Sequence, residues 1–240
     1  SHASMPIGAY SEKHIMPENK LVPVPDGVSD EVASCVTLKG ITAEYLLHRA
    51  YPLKKGDKVL YHAAAGALGQ ILCPWANSIG AEIIGTVGSK EKEEIAKKNG
   101  CHHVINYTDK NFVEEVEKIV GKNGIDVVYD GVGLKTFEGS IEVLKIRGMM
   151  VAFGNASGYV DTIDVKKHIN AKGLFFTRPS IAHYTIKRDE LLESAKKVFD
   201  AVLSGKFKIE ISKKYSLDEV KQAHQDLEGR LLTGPAVIIP

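Results

Sequence analysis

The chain predicts an α/β fold, a doubly wound parallel sheet, and three observations carry that reading. Five short apolar runs (59–61, 82–87, 103–106, 125–130 and 149–153) alternate with four stretches of helical length, the pattern of βαβ units on a parallel sheet. Val127-Val128 and Met149-Met150-Val151 are apolar at consecutive positions, which suits strands buried on both faces. Between the first run and the first helix lies Ala63-Ala64-Ala65-Gly66-Ala67-Leu68-Gly69, a tight turn of small residues.

Taken in order, Ser1 to Met5 reads as a tag remnant and stands outside the fold. Gly8 to Pro17 alternates loosely and is expected to form one strand, followed by a connector punctuated by Pro17, Pro23, Pro25 and Gly27. Ser29-Asp30-Glu31 caps a short helix through Val36. Thr42 to Ala50 reads as another, stopped by Pro52 and the Lys54-Lys55-Gly56-Asp57 turn. The helices of the repeat then cover 68–79, 90–99, 112–120 and 136–144, the first three each ended by a glycine (Gly80, Gly100, Gly121). Past Ser180 the rhythm breaks. A long amphipathic helix over 189–203 stops at Gly205, a strand is expected near Ile209–Ile211, a helix opened by Ser216 runs to Leu227, and Ala236–Ile239 is a last strand. This tail reads as a return into a second, smaller domain.

Composition narrows the function classes. A net charge of +1 provides no field to hold nucleic acid. No apolar run approaches the roughly 20 residues that span a bilayer, and no signal-peptide pattern opens the chain. Cys35, Cys73 and Cys101 are odd in number and scattered, which fits a reduced, cytoplasmic setting better than a disulfide framework. The nine histidines show no pattern at metal-ligand spacing, and no G-x-S-x-G elbow offers a nucleophilic serine. His62, at a strand end, reads as a structural hydrogen-bonder.

The small-residue turn sits where a helix N-terminus presents free N–H groups to a phosphate. In the dinucleotide fingerprint Ala64 takes the first glycine place, Gly66 the second and Gly69 the third. NAD binders place an acid about 20 residues further on, at the next strand end, to bind the ribose 2′-OH. Here that strand ends in Val87-Gly88-Ser89, with Lys92 in the following helical turn. Without a carboxylate to repel it, a 2′-phosphate is accepted there by hydrogen bonds and charge, so the sequence favours NADP(H). Asp130-Gly131 and Phe153-Gly154-Asn155 end two later strands, at the edge where such sheets hold ligands.

These motifs, with Val104-Ile105-Asn106-Tyr107, Tyr129-Asp130-Gly131-Val132-Gly133, Leu38-Lys39-Gly40-Ile41-Thr42-Ala43-Glu44-Tyr45 and Thr177-Arg178-Pro179-Ser180, resemble the zinc-free, NADPH-dependent quinone oxidoreductases. That is the zeta-crystallin-like branch of the medium-chain dehydrogenase/reductase superfamily. The resemblance implies a Rossmann-type sheet over 39–180 and part of a GroES-like, β-rich catalytic domain over 6–38 and 181–240. It implies that Tyr45, Gly66, Ala67 and Leu68 line the cofactor, with Gly88, Ser89, Lys92 and Tyr107 around the 2′-phosphate. Gly131 would follow the adenosine ribose, and Phe153, Gly154, Asn155, Phe176, Thr177 and Arg178 the nicotinamide half. Arg230 would close over the cofactor from the tail. Ala67 stands where the family has a second glycine.

No catalytic residue and no metal ligand is implied. The expected activity is NADPH-dependent quinone reduction by a homodimer. Family members carry about 85 further residues at the N-terminus, so most of the GroES-like domain is expected to be missing. An enoyl or alkenal reductase of the same superfamily, and a non-catalytic NADPH-binding dimerisation module, are the alternatives.

Overall fold

Six parallel strands form the central sheet: β1 (Lys58–His62), β2 (Glu82–Val87), β3 (His103–Asn106), β4 (Ile125–Asp130), β5 (Leu144–Ala152) and β6 (Phe175–Thr177), in the order β3-β2-β1-β4-β5-β6. The structure is a computed structural model and describes residues 7–229 and 231–240. The strand order reverses between β1 and β4, and that switch point is where doubly wound sheets bind ligands. The expected fold class is observed. Helices α2 (Gly69–Ile79), α3 (Lys90–Lys98), α4 (Phe112–Val120) and α5 (Phe137–Val143) connect successive strands.

Both faces of the sheet are buried. Val59, Tyr61, Val127 and Tyr129 pack into one apolar cluster with α2, while Leu60 and Val128 pack into another with Val116, Phe137 and Ile141. Each fully buried Leu, Ile or Val contributes about 1.5–3 kcal/mol relative to exposure, which is why these strands read as unbroken apolar runs.

Other elements depart from expectation. The two helices expected over 29–36 and 42–50 are one helix, α1 (Asp30–Tyr45), followed by a π-type turn, Leu46–Ala50. Gly40 sits inside it because of packing. A Cβ there would lie 2.4 Å from Val198 Cγ1 on α7 (Arg188–Leu203). The strand β5 begins at Leu144 rather than at 149, pairs Leu144 with Ile125 and then bulges before Met149 meets Val127. The short edge strand β6 was not expected at all. Before α7 comes a single helical turn, α6 (Ile181–Tyr184).

Two expected strands are corrected. Gly8 to Pro17 forms no strand, because among the described residues no neighbouring strand completes a ladder with it; Ile15 is 94% exposed. The strand placed at Ile209–Ile211 is instead β7 (Lys213–Ser216), paired in parallel with β8 (Ala236–Ile239). Ile209 packs against the main core, so its apolar character reports core contact rather than pairing. The last helix, α8 (Val220–Glu228), follows a 3₁₀ turn over 217–219.

The flanking segments are tied to one another across the chain. Arg188 donates to the carbonyls of Asn19 and Leu21, and Lys214 pairs with Glu31 at 2.6 Å. Glu44 on α1 is buried, accepts from Ser194 of α7 at 2.7 Å and pairs with Arg49 at 2.9 Å. No helix among the described residues is long and apolar enough to cross a membrane.

Candidate functional site

The carboxyl ends of the strands gather most of the residues singled out from the sequence. At the end of β1 the backbone turns through Ala63, whose φ is 61°, and Gly66 donates back to the Ala63 carbonyl at 2.9 Å. The amides of Ala67 and Leu68 have no backbone acceptor among the described residues. They stand at the N-terminus of α2, where partial positive charge and free donors meet an anion. Gly69 is fixed by close approach, since a Cβ would lie 2.1 Å from the Ala64 carbonyl oxygen.

Next to this turn, β2 ends at Val87, and Gly88 and Ser89 follow without an acid. Ser89 caps α3 by accepting from the Lys92 amide. Lys92 is half-buried, and its ammonium forms no ion pair among the described residues. Tyr107, at the end of β3, is 46% exposed. Its hydroxyl reaches over Gly88, 2.7 Å from where a Cβ would stand. Four residues expected around one phosphate thus line one corner of the sheet edge. A dianionic group fits that corner, which offers a cation and hydroxyls and has no acid at the end of β2.

On the other side of the switch point the turns after β4 and β5 lock together. Phe153 and Gly154 both donate to the Asp130 carbonyl, at 2.9 and 3.3 Å, and Ala156 donates to the Gly131 carbonyl at 3.2 Å. A Cβ on Gly154 would lie 2.4 Å from the Gly131 oxygen. The Phe153 ring covers Gly131 and lies parallel to Tyr61, centroids 6.5 Å apart. Asn155 is half-buried beside Gly133.

Thr177 ends β6 and Arg178 follows it, exposed. The Phe176 ring instead packs on Phe137 in the core, centroids 6.3 Å apart. Tyr45, the last residue of α1, stacks on Tyr184 at 4.5 Å. Burial, with Tyr184 beside it, pushes its hydroxyl pKa up to about 12, partly offset by Arg178 and Arg49, so it stays protonated as a donor. Arg230 lies outside the described residues.

Sequence reasoning missed the polar group beneath these turns. Asp130 is fully buried. Its Oδ1 accepts from the amides of Val132 and Gly133 at 2.8 and 2.9 Å, and its Oδ2 from the hydroxyls of Thr136 and Ser140 at 2.7 and 3.1 Å. His62 is indeed a structural hydrogen-bonder, 2.8 Å from Thr86 Oγ1 and 2.9 Å from Ser140 Oγ. The one signal for this group was an Asp ending the strand straight after Val127-Val128-Tyr129. Its partner Ser140 lies on a helix with no local motif.

Among the described residues no three His, Cys, Asp or Glu side chains converge to hold a metal ion. The three cysteines are free and buried.

A parallel sheet in this order, with a small-residue turn at a helix N-terminus and free donors there, defines a dinucleotide-binding type of α/β domain. Residues 67–204 match the family described as zinc-binding dehydrogenase. A 2-haloacrylate reductase from Burkholderia sp is 45% identical over 98% of this chain and 72% of its own length. A quinone oxidoreductase from Salmonella typhimurium is 41% identical over all of this chain and 74% of its own length. The crystal structure of Escherichia coli quinone oxidoreductase complexed with NADPH superposes with a TM-score of 0.94 at 40% identity, covering 100% of this chain and 74% of that one. The chain belongs to the zinc-binding dehydrogenase family, in the company of its quinone oxidoreductases.

Proposed function

We propose that this chain binds NADPH along the carboxyl edge of its sheet and serves the reduction of quinones. The observation that carries the reading is the corner of Gly88, Ser89, Lys92 and Tyr107, which has a cation with no ion-pair partner among the described residues and no acid at the strand end where an NAD-type site needs one. It is supported by the relatives named quinone oxidoreductase and by the one whose structure is a complex with NADPH. When bound, the cofactor supplies a hydride. The residues of this chain hold and orient it.

The Ala67 and Leu68 amides and the α2 N-terminus take the pyrophosphate, and Gly66 leaves it room. Gly131, Phe153, Gly154 and Asn155 form the wall beside the ribose and nicotinamide, with Thr177, Arg178 and the Phe176 backbone as its far rim. Tyr45 closes the near side, and Arg230 is proposed to close over the cofactor. Such chemistry depends on donor and acceptor being held close in a dry cleft rather than on a strong acid or base, and no residue is assigned an acid–base role.

Residues 6–38 and 181–240 are proposed to be the part of the chain that turns toward a second, catalytic domain. Zinc independence, a cytoplasmic location and a homodimer complete the reading. The outer edge of β6, unpaired among the described residues and with Phe175 57% exposed, offers the dimer a strand to pair.

The test is turnover. NADPH oxidation in the presence of a para-quinone is expected, and NADPH binding with no quinone reduction would favour a non-catalytic binding module instead. The 45% relative named 2-haloacrylate reductase supports a second reading, reduction of a polarised carbon–carbon double bond. Turnover of a 2-haloacrylate or an alkenal in preference to every quinone would select it.

A further inference from the structure

The buried polar chain under the switch point has a direction that the hydrogen bonds themselves fix. Asp130 Oδ2 can only accept, so the single hydroxyl hydrogen of Ser140 is given to it at 3.1 Å. Toward His62, Ser140 must then accept, which puts the imidazole proton on Nε2, 2.9 Å away. His62 Nδ1 is left as an acceptor and takes the Thr86 hydroxyl at 2.8 Å. The order is Thr86 to His62 to Ser140 to Asp130, every link pointing at one carboxylate.

All four side chains are buried, with Thr86, Ser140 and Asp130 fully so and His62 1% exposed. Burial also keeps the imidazole neutral by lowering its pKa. A Phe112 ring stands edge-on to the His62 ring at 5.1 Å. Among the described residues the charged neighbour that acts on His62 is Asp130.

Both ends of this chain act on backbone that forms the proposed cofactor edge. At one end the Thr86 carbonyl accepts from the Ala64 amide at 3.1 Å, which holds the start of the small-residue turn. At the other, Asp130 Oδ1 gathers the Val132 and Gly133 amides. Its backbone carbonyl gathers those of Phe153 and Gly154. We propose that Thr86, His62, Ser140 and Asp130 form a one-directional positioning relay that sets the turn after β1 against the loops after β4 and β5, so that pyrophosphate and nicotinamide halves of one cofactor are met at a fixed spacing. These are positioning residues, since none needs to touch the cofactor.

The inference rests on the NADPH reading, and the experiment separates the two. Thr86→Val keeps the side-chain shape and removes the donor at the head of the relay, while Thr86→Ser keeps the donor. Ser140→Ala cuts the relay in the middle. Ser194→Ala removes a buried hydroxyl that bonds Glu44 between α1 and α7, outside the relay, and serves as the control for general loosening.

Calorimetric titration should show NADPH dissociation constants raised about fivefold or more in Thr86→Val and Ser140→Ala, the scale of one net hydrogen bond. Thr86→Ser and Ser194→Ala should stay within about twofold of wild type. Unchanged binding in Thr86→Val and Ser140→Ala, with wild type binding, overturns the relay and leaves the NADPH reading standing. Wild type failing to bind NADPH overturns the reading instead.

In that case two binding-independent measurements decide the relay. Nitrogen NMR of His62 should give a neutral ring protonated on Nε2, and a proton on Nδ1 overturns the assigned direction. Amide exchange at Val132 and Gly133 should quicken in Thr86→Val and not in Thr86→Ser. Equal exchange in both overturns the coupling.

Discussion

Between Lys58 and Val143 every element falls within a residue of its place in the sequence pattern, whereas before Lys58 and after Val143 several do not. In the first region strand and helix alternate regularly along the chain, so each element's place can be read from its own stretch of sequence. In the second, partners come from opposite ends: Glu44 meets Ser194, Glu31 meets Lys214, and Asn19 meets Arg188. Local order is written in local periodicity, and the long-range seams are not. Half of the proposed cofactor edge, from Gly66 to Gly131, belongs to the first region, and its glycines and helix cap could be picked out from local pattern.

Substitutions that break the first region should cost most. Gly69→Val forces a side chain into the Ala64 carbonyl, 2.1 Å from the Cβ position. Overpacking against backbone costs about 3 kcal/mol. Thermal melting should show a large loss of stability, together with loss of NADPH binding.

The seam between α1 and α7 should cost less. Glu44→Ala strips the acceptor from Ser194 and the partner from Arg49 and Lys197. Breaking a buried pair costs about 3–5 kcal/mol when the orphaned charge stays buried. Lys197, its side chain 43% exposed, can rehydrate, and Arg49 keeps its bond to the Tyr184 carbonyl and its place over the Tyr184 ring, so about 2 kcal/mol by denaturant unfolding is expected. A loss larger than that of Gly69→Val would reverse the ranking of the two regions.

Acid should loosen both regions together. Burial lowers the pKa of His62 in the sheet and of His48 beside α1, each from 6.5. Above pH 6.5 both rings are neutral in folded and unfolded chains and have no effect. As pH falls below 6.5 the unfolded chain takes up protons that the folded chain resists, so stability declines from that point downward. His62→Gln should flatten the sheet's share of the decline.

Asp226, held to about 2 by Lys213, Tyr215 and Gln222 against an ordinary 3.8, behaves separately. Its contribution is whole above pH 3.8 and is lost as pH falls from there toward 2. The smallest effect belongs to Ile15→Ser. With the side chain 94% exposed, unfolding should shift by no more than about 0.5 kcal/mol.

How much could be read beforehand follows from the same contrast. The repeat, the fold class and the corner of Gly88, Ser89 and Lys92 were legible because helix caps and strand ends are local signals, whereas Tyr107 came only from the family resemblance. β6 was not, since three residues after a polar turn leave no period to detect. The strand expected at Ile209–Ile211 was displaced because Ile209 serves the main core rather than a ladder. The gap expected between helices ending at Val36 and starting at Thr42 does not occur, and Gly40 within it is a packing notch for Val198. Within the site, His62 was legible as a hydrogen-bonder, but its partner Ser140 is 78 residues away, and no spacing rule joins them.

The most direct test of the account is a competitive calorimetric titration of this chain with NADPH and NADH at one salt concentration. The corner at the ends of β2 and β3 predicts NADPH bound more tightly by about tenfold or more, the scale of one charge-assisted phosphate contact. Equal affinity, preference for NADH, or binding of neither would contradict it.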